Sequence, residues 1–141
     1  VAAYTFKYRK YFTHGGLAAD LRAELAPKER QSPLGVQIYR KFSLHLPEGM
    51  HWKDAAWLCY GASRCAREVT HDVGGEVHVT VHELSFPLSD YRSEVAALAM
   101  EGWLRQEFHL AVDRLPLVRP TTQQGDYIFE WGSGQSPFSG D

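Results

Sequence analysis

The sequence predicts a two-layer α/β sandwich, a sheet of three or four strands with two main helices packed on one of its faces. Three observations carry this. Several stretches alternate apolar and polar residues one by one, which is the pattern of a strand buried on a single face. Two longer stretches lack proline and repeat apolar residues at helical spacing. A length of 141 residues, with 44% hydrophobic and 23% charged residues, suits one globular domain. That domain is placed over residues 1–131, and the closing GSGQSPFSGD (132–141) has the composition of a flexible tail.

The first strand is expected over 3–12, where Tyr4, Phe6 and Tyr8 alternate with Thr5, Lys7 and Arg9. His14-Gly15-Gly16 then turns the chain. Leu17, Leu21 and Leu25, four residues apart, suggest a short amphipathic helix stopped by Pro27. Residues 27–35 read as a polar loop. A long second strand is expected over 36–46, with Val36, Ile38, Phe42, Leu44 and Leu46 on one parity and Arg40 as the one discordant residue. A helix follows over 52–69, its apolar face built from Ala55, Leu58, Cys59, Ala62, Cys65, Ala66 and Val69.

The third strand is the clearest, with Val77, Val79 and Val81 alternating with Glu76, His78, Thr80 and His82. Pro87 ends it, because proline donates no N–H to a ladder. Ser89 or Asp90 is expected to cap a second helix over 91–108. That helix is apolar on most of its circumference, so it reads as a core helix covered on more than one side. Its polar stripe is Glu94, Glu101 and Arg105, the last two at the i,i+4 spacing of an ion pair. Residues 110–125 look irregular, and Tyr127 to Trp131 alternate as a short last strand.

Cys59 and Cys65 fall in one helix, where six residues rise about 9 Å, too far for a disulfide. They read as buried thiols of a reducing compartment, which places the protein in the cytoplasm. The chain begins at Val1, so a removed leader stays open, and no apolar run is long enough to span a bilayer. Charge is uneven: residues 1–70 hold eleven Lys and Arg against six Asp and Glu, while 71–141 hold four against eleven. Two halves that neutralise each other explain this, and so does a bipolar surface that steers a charged partner. The balance is unlike that of a general nucleic-acid binder.

Two groups of residues stand out as candidate sites. Parity aims His45, His78 and His82 out of the open sheet face, where His45 and His78 would meet if their strands are neighbours. These are candidates for contact or for acid–base work. They lack the companion ligands of a metal site, and neither a metal nor another cofactor is expected. The second group is the far face of the 52–69 helix, with Lys53, Trp57, Tyr60, Arg64 and Arg67. Aromatic and arginine side chains dominate binding hot spots, yet the same residues would serve as packing if 110–131 covered them. The expected role is non-enzymatic binding or assembly through a protein partner, with a homodimer favoured. An RNA-associated protein and a small enzyme using the sheet histidines are the alternatives.

The stretch VHVTVHELSFPLSDYRSE resembles the strand–loop–helix of the fourth domain of elongation factor G and related ribosomal-protection factors. The shared features are the alternating valines, Ser85-Phe86, Asp90, and Ser93-Glu94 opening an alanine-rich helix, within residues 74–108. The resemblance implies an S5-domain-2-like fold and an association with the ribosome or RNA.

Overall fold

Strand β1 (Tyr4–Phe12) and strand β2 (Gly15–Leu25) form an antiparallel hairpin joined by Thr13 and His14, in register from Tyr4↔Ala23 to Phe12↔Gly15. The computed structural model describes residues 2–25, 35–111, 115–123 and 126–132. β2 replaces the short helix expected around Leu17, Leu21 and Leu25. A spacing of four keeps residues together on a helix and also on a strand, because four is a multiple of two. Ala19 and Ala23 settle the matter by filling the intervening inward positions, and both are buried beside Leu17 and Leu21.

The long strand expected over 36–46 is a second hairpin, β3 (Gly35–Tyr39) and β4 (Phe42–His45), turning at Arg40 and Lys41. A bulge between Gln37 and Tyr39 brings Val36 opposite Leu44, although Tyr39 faces Phe42 at the turn, so beyond the bulge the two arms share one parity and imitate one unbroken strand. Arg40 was discordant because it occupies the turn. The loop expected at 27–35 lies, apart from Gly35, outside the described residues, as does the tail beyond Gly132.

Helix α1 (Trp52–Val73) runs four residues past its expected end. His51 Nδ1 accepts from the Lys53 amide at 3.2 Å at its start, and Gly74, left-handed at φ 73°, donates to Thr70 O at its end. Strand β5 (Val77–Ser85) then enters the middle of the sheet, parallel to β4 and antiparallel to β2, with His82 as the extra residue of a bulge. The order is β1-β2-β5-β4-β3, a mixed sheet of five strands where three or four were expected.

Helix α2 (Glu94–Phe108) starts three residues later than expected, after a separate 3-10 turn at Leu88–Asp90. Tyr91 holds the chain extended at φ −135°, ψ 140°. Its ring stacks on Phe86 at 3.6 Å and its hydroxyl donates to Asp54 on α1 at 2.6 Å. Ser93 takes the cap position without a side-chain bond, so neither Ser89 nor Asp90 caps this helix. Beyond α2, the stretch expected to be irregular contains β6 (Leu117–Pro120), which pairs antiparallel with β7 (Tyr127–Glu130).

Both helices cover the same face of the sheet, α1 towards β3 and β4, α2 over β1 and β2. Between them the core is built from Leu21, Phe42, Leu44, Val79, Leu58, Met100, Trp103 and Leu104, each at about 1.5–3 kcal/mol of burial for the larger aliphatic side chains. The β6–β7 hairpin lies against the helices and the β1 edge, through Val118, Tyr127, Phe129 and Trp131. α2 is therefore enclosed by sheet, partner helix and hairpin, and ten of its fifteen residues are buried.

Candidate functional site

The face of the sheet turned away from the helices is polar, and its charges oppose one another across strands. Lys7 lies opposite Asp20 and Arg22 opposite Glu83. Arg9 Nη1 is 2.8 Å from Asp20 Oδ1, an ion contact by distance without hydrogen-bond alignment. His82 Nε2 lies 2.6 Å from Glu24 Oε1. His45 and His78 do meet, because β4 and β5 are neighbours: Nε2 of His45 is 3.0 Å from Nδ1 of His78, and one of these nitrogens carries the shared proton. His45 is only 3% exposed. Nε2 of His78 and Oγ1 of Thr80 are buried without a hydrogen-bond partner among the described residues, and Glu76 Oε2 stands off at 4.0 Å from the imidazole. His82 is committed elsewhere, so the three histidines divide into a pair and a single residue. Such a pair can pass a proton between rings. Among the described residues no three His, Cys, Asp or Glu side chains are grouped to hold a metal.

The α1 stripe is divided by the hairpin. Lys53 and Arg67 face solvent. Trp57, expected to be exposed, is 5% exposed. Its ring stacks on Trp131 at 5.4 Å, and Tyr60 meets both indoles edge-on. Arg64 reaches inward, Nε donating to Glu101 Oε1 at 2.6 Å and Nη1 to the Trp131 carbonyl at 2.5 Å. The polar stripe expected on α2 is corrected here as well. Glu101 is 1% exposed, and its second oxygen accepts from Arg105 Nε at 2.9 Å. Arg105 in turn donates to the Ala111 carbonyl and lies 4.0 Å from Glu68. One buried carboxylate thus sits between two guanidiniums, and those guanidiniums bind carbonyls on the segments after α2. This arrangement neutralises buried charge and fastens the hairpin.

The feature that sequence reasoning missed lies on the other side of that carboxylate. Between β1 and the hairpin a cleft of about 290 Å³ opens over Glu101, with Phe6 and Tyr8 on one wall, Leu98 and Gly102 at the back, and Leu115 and Leu117 on the other wall. Leu115 is 50% exposed and Leu117 61%. A wider, more polar hollow of about 660 Å³ lies between the β1–β2 turn and the end of β6, beside His14, Thr121, Gln123 and Asp126. Reading 110–125 as irregular hid both. The one available signal was the apolar character of 110–118, with Leu110, Ala111, Val112, Leu115, Leu117 and Val118 ahead of the polar 119–126.

Burial pushes the Cys65 thiol up to about 12, helped by the charge of Glu101, and raises Cys59 in the same direction. Both cysteines are free and held as thiols. Comparison with protein-family models, with curated proteins and with solved structures gives no match.

Proposed function

We propose that the protein is a non-enzymatic binding module that acts through protein–protein contact, with the cleft between β1 and the β6–β7 hairpin as its contact surface. One observation carries this reading: two leucines, Leu115 and Leu117, stand largely in solvent beside an apolar cleft with a charged floor. Exposed apolar side chains beside a concave apolar surface are the usual marks of a recognition site. The α1 stripe contributes less, since Trp57, Tyr60 and Arg64 are engaged by Trp131 and Glu101. The free thiols favour a reducing compartment, hence the cytoplasm. No helix among the described residues is long and apolar enough to cross a membrane. We propose further that the strand–strand–helix–strand–helix order from β3 to α2 is S5-domain-2-like; the element order supports this finer reading.

A random peptide library displayed on phage and panned on the purified protein tests the binding reading. The expected outcome is an enriched family of apolar peptides whose affinity falls about tenfold or more in Leu117→Ser, a change that leaves the fold intact because the side chain is exposed. No enrichment, or enriched peptides indifferent to both Leu115→Ser and Leu117→Ser, would overturn it.

A further inference from the structure

β1 is nine residues long, and its only strand partner among the described residues is β2. The β1–β2 register runs without a bulge over all nine pairs. The other edge of β1 is therefore straight for about 27 Å. Along such an edge alternate backbone N–H and C=O groups point sideways with no ladder to join, a template for another strand. Proline, a bulge or a very short length would blunt it, and β1 has none of these. Among the described residues the hairpin borders its end, where Tyr127 meets Phe12 at 5.5 Å, and elsewhere its protection is positive charge from exposed Lys7, Arg9 and Lys10. Lys7 and Lys10 have no ion-pair partner among the described residues.

The cleft lies along this same edge, and the parity of β1 sorts its side chains. Phe6 and Tyr8 turn to the helix side and form one cleft wall, while Lys7 and Arg9 turn to the polar face of the sheet. Resting on the binding reading above, we infer that the free edge of β1 accepts an extended segment of a partner protein as a sixth strand. Its residues alternate between apolar side chains that enter the cleft beside Phe6 and Tyr8 and acidic side chains that lie across from Lys7 and Arg9. Directly opposed side chains on one sheet face interact most strongly, so this alternation follows from the register. Main-chain bonds supply affinity and the alternating side chains supply the choice of partner. A second copy of this chain fits poorly. Antiparallel pairing of β1 with itself about Tyr8 sets Lys7 against Arg9 twice, and like charges directly opposite destabilise a pair.

An eight-residue peptide alternating valine and glutamate is the probe, beside two controls. One is the same peptide with alternate backbone amides N-methylated, and the other alternates valine and lysine. Fluorescence anisotropy reads affinity and amide hydrogen exchange reads protection along β1. The valine–glutamate peptide is expected to bind and to slow exchange in β1. N-methylation should weaken it at least tenfold, the lysine peptide should not bind, and Lys7→Glu with Arg9→Glu should reverse that preference. Equal binding of the methylated peptide, with β1 unprotected, would overturn strand addition and leave the cleft reading standing. Dimerisation through β1 would overturn the choice of partner. Failure of these probes together with an empty library selection would remove both readings.

Discussion

Gly61 sits where α1 crosses α2, and a Cβ placed there would lie 2.3 Å from the carbonyl oxygen of Ala97, 2.8 Å from its Cα and 2.9 Å from its carbonyl carbon. All three are backbone atoms of a buried helix, so no side chain can turn aside. Restoring ordinary contact requires the helices to part by about 1 Å, which loosens Leu58, Ala62, Met100 and Leu104 behind the crossing. Overpacking of this kind costs about 1–3 kcal/mol, and more where backbone must move. Against it, alanine in a helix gains about 1 kcal/mol over glycine. We expect Gly61→Ala to be destabilised by about 2 kcal/mol net, lowering the urea midpoint by about 1 M with an unchanged slope.

Gly102→Ala is the control. Its Cβ would meet the Phe6 ring, at 2.3 Å from Cε2 and Cζ, and that ring borders the open cleft into which it can swing. The same substitution should therefore cost less than about 1 kcal/mol and should narrow the cleft instead. Urea unfolding followed by far-ultraviolet circular dichroism compares the two variants directly. A Gly61→Ala protein as stable as the parent, or a Gly102→Ala protein equally weakened, would refute the account of the helix crossing.

Trp57→Ala should cost about 3–5 kcal/mol, because it empties the space between Trp131 and Tyr60; a loss below about 1 kcal/mol in a denaturant melt would mean the indole does not hold the hairpin. Stability should also fall in alkali. Cys65 titrates at about 12 in the folded chain against 9.0 ordinarily, and Tyr8 at about 12 against 10.0. The folded state resists ionisation in both, so their contribution is complete below about pH 9 and is lost as pH rises towards 12. Cys65→Ala should flatten the pH 9–10 part of that fall, measured as the urea midpoint at each pH, and an unaltered profile would contradict the assignment.

The elements that sequence alone located are those whose period is unambiguous: β1, β5 and the short β7 from alternation, α1 and α2 from proline-free helical repeats. What misled was degeneracy. Leu17, Leu21 and Leu25 satisfy two periods at once, and a bulge between Gln37 and Tyr39 restores a single parity to the arms of the β3–β4 hairpin. β6 is four residues long and ends in proline, too little pattern to weigh. The approach of His45 to His78 was readable as parity, but it needed β4 and β5 side by side. Burial of Glu101 was not readable at all. A Glu and an Arg four apart look like a surface pair, and the arginine that changes their character comes from α1, thirty-seven positions earlier.

That carboxylate ties positions 64, 101 and 105 into a unit of inheritance. Removing Glu101 alone leaves two guanidiniums uncompensated inside the protein, at about 3–5 kcal/mol, a large share of a small domain's total stability, whereas removing one arginine leaves an ion pair. Replacing all three together by apolar residues of matching volume would cost little or even stabilise. Every path of single substitutions passes through a buried unpaired charge, because the ion pair left after loss of one arginine must itself lose one partner first. The three positions are thus coupled, and a substitution at 101 should be tolerated only in backgrounds that already differ at 64 and 105.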